Sequence, residues 1–115
     1  MLLISRGAGV LANHSVPDIP PLNPYLNIML ASAYPGKPGQ SLTREQAVIA
    51  FTRTAAYAEF AENSKGTLEA GKLADLAVLS QNIFQVSLDE IPKTESVLTI
   101  TGGKIAFTSG ALAKQ

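Results

Sequence analysis

The chain has 115 residues, of which 46% are apolar and 16% are charged, and its nine basic side chains balance nine acidic ones. This length suffices for one domain with a modest core, and the apolar content argues against disorder. The charges cancel, and the sequence contains no block of basic residues of the kind that nucleic-acid binding requires. We therefore expect no nucleic-acid partner. The absence of cysteine excludes disulfides and thiolate metal sites, and it fits a cytoplasmic protein.

The first zone of the chain, residues 1–39, is rich in residues that interrupt regular structure. Its apolar opening is broken by Arg6 and is too short for a signal peptide or a membrane span, so we expect a buried strand over residues 9–12 and no membrane partner. Prolines at positions 17, 20, 21 and 24 then disfavour regular structure. Asn23 can cap a short helix over residues 25–31, with Pro24 at its first position.

The second zone predicts one long helix over residues 43–63. Thr43 can cap it, and Gln46 completes a capping box three residues later. Gly66 suits the left-handed turn that ends a helix. Small and apolar residues recur at helical spacing and predict close packing against another element, whereas charged residues mark the exposed side. The first group is Ala47, Phe51, Ala55 and Ala58, and the second is Arg44, Arg53, Glu59 and Glu62.

The third zone is rich in predicted strands. Alternation over residues 76–79 predicts a strand, and residues 88–91 predict one helical turn that Pro92 ends. Gly102-Gly103 lies between two β-branched and apolar runs, which predicts a β-hairpin over residues 96–108. A two-stranded ribbon is marginal alone, so these strands need another element to cover them.

The order of these signals resembles the carboxyl-terminal end of the metal-dependent amidohydrolase superfamily, and in particular its amidohydrolase 3 type. Gly66, the segment Gly71-Lys72-Leu73-Ala74-Asp75 and the Gly102-Gly103 hairpin carry the resemblance. Residues 8–24 resemble the approach to the last barrel strand of the family, and residues 47–57 resemble the helix that follows it.

The resemblance implies a mixed α/β fold in two parts that form one compact unit. Residues 1–64 would be the last strand and helix of a TIM-type barrel, and residues 65–115 would be the carboxyl-terminal strands of a small β-sandwich. It also implies that Lys72 and Asp75 are scaffold residues remote from the metal, with Asp75 bracing its turn through backbone N–H groups. Gly102-Gly103 is then a turn and not a phosphate loop, because no helix follows it.

The catalytic residues of the family are poorly represented in this chain. The family places its catalytic aspartate directly after a serine, but Val16 follows Ser15 here, so Asp18 is the remaining candidate. The alternative is that Asp18 caps a turn between prolines. His14, the one histidine, is a candidate metal ligand or a structural or exposed side chain. One imidazole cannot supply the three protein ligands of a typical catalytic zinc site.

The resemblance therefore implies metal-dependent hydrolysis of C–N bonds, with a divalent metal such as zinc in the full-length family. We expect that this chain is a carboxyl-terminal fragment that holds no cofactor and is inactive alone. The alternative is a non-catalytic assembly module that forms a homo-oligomer or completes a complementary barrel chain, because strand edges and an alanine-rich helix face would be exposed. A truncated product without an independent role is a third possibility.

Overall fold

The computed structural model describes residues 2–5, 23–33 and 38–114, which form a mixed arrangement of helices and an antiparallel sheet. The predicted strand over residues 9–12 lies outside these ranges. In chain order, the strands and α-helices are β1 (Leu2–Ser5), α1 (Pro24–Ser32), α2 (Arg44–Ile49), α3 (Ala55–Ala58), β2 (Leu76–Leu79), β3 (Ser96–Thr101) and β4 (Lys104–Thr108). A π-helical segment, Ala50–Thr54, joins α2 to α3, and 3₁₀ helices span Pro38–Gln40, Leu88–Lys93 and Ala111–Lys114.

The sheet has the strand order β1-β2-β3-β4, and each neighbouring pair is antiparallel. Strands β3 and β4 form the predicted hairpin around Gly102-Gly103, and β2 matches the predicted strand over residues 76–79. Strand β1 pairs with β2 in the register Leu2↔Leu79 to Ser5↔Leu76. The sheet therefore takes strands from both of the parts that the sequence separates at residue 64.

Helix α1 begins where the sequence predicts. The Asn23 side-chain oxygen accepts hydrogen bonds from the backbone N–H groups of Tyr25, at 3.0 Å, and Leu26, at 3.2 Å. Pro24 follows at the first helical position, where its missing N–H costs nothing. The Asn23 amide nitrogen also donates to the Pro92 carbonyl at 3.0 Å, so the same side chain ties α1 to the 3₁₀ helix Leu88–Lys93.

The long predicted helix begins correctly, and its interior departs from a regular α-helix. Thr43 and Gln46 form the capping box, with the Gln46 N–H donating to the Thr43 hydroxyl at 3.1 Å and the Thr43 N–H donating to the Gln46 side chain at 2.9 Å. The interior is interrupted by the π-helical segment, where the Thr52 hydroxyl donates to the Val48 carbonyl at 2.8 Å. This bond satisfies a buried hydroxyl inside the helix.

The predicted end of that helix at residue 63 is wrong, because α3 ends at Ala58. Phe60 adopts a φ of 60°, and its N–H donates to the Tyr57 carbonyl at 3.0 Å. The Ala61 N–H donates to the Ala56 carbonyl at 2.9 Å, which completes a Schellman motif. The left-handed position that we assigned to Gly66 is therefore occupied by Phe60, a residue type that the helix-termination rule does not favour.

Gly66 has a different role, which is to let the chain approach the helix closely. It has a φ of 97°, and a Cβ atom at this position would lie 2.6 Å from the Ala56 Cβ and 3.2 Å from the Thr52 carbonyl oxygen. Ala55 and Ala56 are fully buried. Ala56 therefore allows the close approach of Gly66; Ala55 is buried as its spacing predicts, whereas Ala58, which the spacing also predicts to be packed, is exposed.

The core lies between the helices and the sheet. Its buried members come from α1, α2, β2 and the segments that follow β2, and they are Ile28, Ala47, Val48, Ala77, Leu79, Ile83 and Ile91. Ile91 is fully buried within the 3₁₀ helix that contains Pro92, so the proline lies inside this helix and does not end it. A 3₁₀ helix of this length tolerates the missing N–H because few of its donors have partners within the helix.

Candidate functional site

The residues singled out by the sequence meet at the junction between the end of α3, the turn before β2 and the β3–β4 hairpin. Lys72 is the centre of this junction. Its ammonium group donates to the Glu62 carbonyl at 2.8 Å and to the Thr67 hydroxyl at 2.7 Å, and it forms an ion pair with Glu69 at 2.9 Å. Only 18% of the Lys72 side chain is exposed. One side chain therefore holds the segment after α3 against the turn.

Asp75 connects the same turn to the hairpin. Its Oδ1 atom accepts a hydrogen bond of 2.7 Å from the Gly102 N–H, and the Gly103 N–H donates to the adjacent Ala74 carbonyl at 3.1 Å. Gly102 and Gly103 have φ values of 57° and 79°, a conformation that glycine adopts without steric cost. The carboxylate thus accepts a backbone N–H that belongs to the hairpin turn.

Backbone hydrogen bonds complete the turn between these two side chains. The Lys72 N–H donates to the Glu69 carbonyl at 3.2 Å, and the Leu73 N–H donates to the Ser64 carbonyl at 2.8 Å. Gly71 occupies the left-handed region with a φ of 90° and has no atom within 4 Å of a Cβ built there. Gly71 is therefore required for its backbone conformation, whereas Gly66 is required for both conformation and space.

The electrostatics of the junction favour the ionised carboxylate of Glu69. A hydrogen bond from Thr67 and the contact with Lys72 lower the pKa of Glu69 below its ordinary value of 4.5. Elsewhere, the Ser87 hydroxyl lowers the pKa of Asp89, and the Glu90 carboxylate raises the pKa of Lys93. These shifts arise from local pairing at the surface, and none of them marks a buried acid or base in a cleft.

Some polar contacts of the junction and core have no signal in the sequence pattern. Thr67 and Glu69 precede Lys72 by five and three residues, and nothing in that spacing indicates a shared contact. Arg44, which we placed on the exposed side of the helix, is half-buried, and its guanidinium donates to the Ile83 and Val86 carbonyls. It satisfies carbonyl groups of the loop after β2 and anchors that loop to the start of α2.

The candidate catalytic and metal residues, Asp18 and His14, lie outside the described residues. Within residues 2–5, 23–33 and 38–114, no group of three or more histidine, cysteine, aspartate or glutamate side chains could hold a metal ion. The chain as a whole has one histidine and no cysteine. The residues that the structure describes therefore do not bring together the three protein ligands of a catalytic metal site. In the same described ranges, no helix has the length and apolar character needed to cross a membrane.

The side chains of Lys72 and Asp75 thus hold the end of a helix, a turn and a β-hairpin together within a mixed α/β fold. The amidohydrolase family model matches residues 17–107, and the chain belongs to the amidohydrolase family. This confirms the resemblance seen in the sequence. Members of the family are generally metal-dependent hydrolases.

The fold is similar to the crystal structure of an amidohydrolase from Thermotoga maritima MSB8, with a TM-score of 0.54 and 23% sequence identity. The match covers 74% of this chain and 19% of that one, so the chain spans about a fifth of the length of the solved structure. At this identity the likeness shows the fold alone. A search of curated proteins found no significant match.

Proposed function

We propose that this chain is a carboxyl-terminal scaffold of a metal-dependent hydrolase that cleaves C–N bonds, and that it does not hydrolyse substrate by itself. In this proposal the helical part of residues 1–64 completes a TIM-type barrel, and residues 65–115, together with the paired strand β1, contribute strands to a β-sandwich beside it. The cytoplasmic location expected from the sequence stays a prediction. The observation that carries the proposal is membership of the family combined with a donor set that does not fit the family's metal.

The chemistry of the family explains why the donor set matters. A bound divalent cation supplies a water molecule of lowered pKa, and it needs several histidine or carboxylate ligands to do so. In the described ranges, three carboxylates form ion pairs with lysines: Glu59 with Lys65, Glu69 with Lys72, and Glu90 with Lys93. Asp75 holds the hairpin turn. These acidic groups are paired with lysines or with a backbone N–H, and the metal ligands of an active enzyme would have to come from other residues.

The test is an assay of the purified chain with a cyclic amide and an N-acylated amino acid, with added zinc and again after chelation. We expect the rate with protein to equal the rate with zinc alone, and we expect titration calorimetry to show no stoichiometric zinc binding. The His14→Ala and Asp18→Ala variants should behave like the unchanged chain. Turnover that a chelator abolishes, and that either variant loses, would contradict the proposed lack of activity.

A second candidate function is a non-catalytic assembly module that forms a homo-oligomer or completes a complementary barrel chain. Exposed apolar side chains favour it. All residues of the edge strand β4 are exposed, including Ile105, of which 67% is accessible, and Phe107. Tyr57 and Phe60 are exposed at the end of α3, and Phe60 is 93% accessible. Edge strands and apolar patches of this kind pair readily with other chains.

Light scattering at micromolar concentration tests this second function by comparing the mass of the unchanged chain with the masses of two isoleucine variants. Ile105 lies on the edge strand, and Ile49 is an exposed isoleucine on α2, 47% of which is accessible. If β4 contributes to assembly, Ile105→Lys should lower the observed mass, and Ile49→Lys should not. The assembly role would be contradicted if the unchanged chain were a stable, folded monomer that also failed to bind an amidohydrolase barrel chain. This outcome would leave the scaffold proposal unaffected.

A further inference from the structure

We draw no further inference here: the strongest candidate, the exposed apolar pair Ile105 and Phe107 on the edge strand β4, already belongs to the assembly role proposed above, and nothing in the described structure shows what covers it.

Discussion

Asp75 and Gly102 are separated by 27 positions in the sequence and are joined by a 2.7 Å hydrogen bond from the Gly102 N–H to the Asp75 carboxylate. The bond connects the turn that leads into β2 with the turn that connects β3 to β4. A second hydrogen bond, from the Gly103 N–H to the Ala74 carbonyl, connects the same two turns. Together the two bonds fix the position of one turn relative to the other. The Ala74-Asp75 pair before β2 therefore has a structural role.

Replacing Asp75 by alanine should lower the free energy of unfolding by about 1 kcal/mol, the usual net contribution of such a hydrogen bond at an accessible site. Asp75→Asn keeps an acceptor oxygen in nearly the same place and serves as the matched control. We expect it to lose clearly less than the alanine variant in urea denaturation. Equal losses for the two variants would show that the acceptor does not contribute and that the negative charge does.

Gly66→Ala should be one of the more destabilising substitutions in the chain. It forces an alanine into a φ of 97° and brings its Cβ to 2.6 Å from the Ala56 Cβ. The left-handed conformation costs about 1–2 kcal/mol and the overlap about 1–3 kcal/mol, so we expect a total of about 3 kcal/mol. Thermal and urea denaturation measure this loss.

Gly71→Ala is the control for Gly66, since Gly71 has a similar φ of 90° and open space around the missing Cβ. It should lose about 1 kcal/mol from backbone strain alone. A second control is the pair Gly66→Ala and Ala56→Gly, which should lose less than the sum of the single changes because the overlap is relieved. Similar losses for the two glycines, with no coupling to Ala56, would mean that the close approach is unimportant.

The sequence predicts those parts of the fold that rest on local chemistry. The Asn23 cap, the Thr43–Gln46 capping box and the Gly102-Gly103 hairpin each depend on residues within three or four positions of one another. The structure contains all three. Each of these signals works because a side chain or a glycine satisfies its own neighbouring backbone.

Features that depend on distant contacts or on an unusual residue could not be predicted in this way. Phe60 ends α3 from the left-handed region, a position for which the rules favour glycine or asparagine. The partners of Lys72 and Asp75 depend on how the turn docks on the helix end and the hairpin. The family motif thus includes Lys72 and Asp75, and only the tertiary structure reveals their contacts.

Lys72→Met should destabilise the chain by about 1–2 kcal/mol, because it removes a half-buried ammonium group that bonds the Glu62 carbonyl and the Thr67 hydroxyl. Lys93→Met is the matched control: Lys93 also pairs with a glutamate three residues away, but 68% of its side chain is exposed. Such surface pairs contribute little, so this variant should stay within about 0.5 kcal/mol of the unchanged chain. Equal losses of unfolding free energy for the two variants in chemical denaturation would contradict the larger contribution expected of Lys72.

Acid should weaken the junction through Glu69. Its pKa is lowered from an ordinary value of 4.5 by the Thr67 hydrogen bond and by Lys72, so the folded state favours the ionised form. This contribution is fully present above pH 4.5, the unfolded value, and is lost as the pH falls through the lower folded value. The unfolding free energy of Glu69→Gln should therefore decline less steeply in that range than that of the unchanged chain. Lys72→Met should flatten the profile only in part, because the Thr67 hydrogen bond that also lowers the pKa of Glu69 remains, and adding Glu69→Gln should flatten it further. An unchanged acid slope in both single variants would show that Glu69 and Lys72 do not interact in solution.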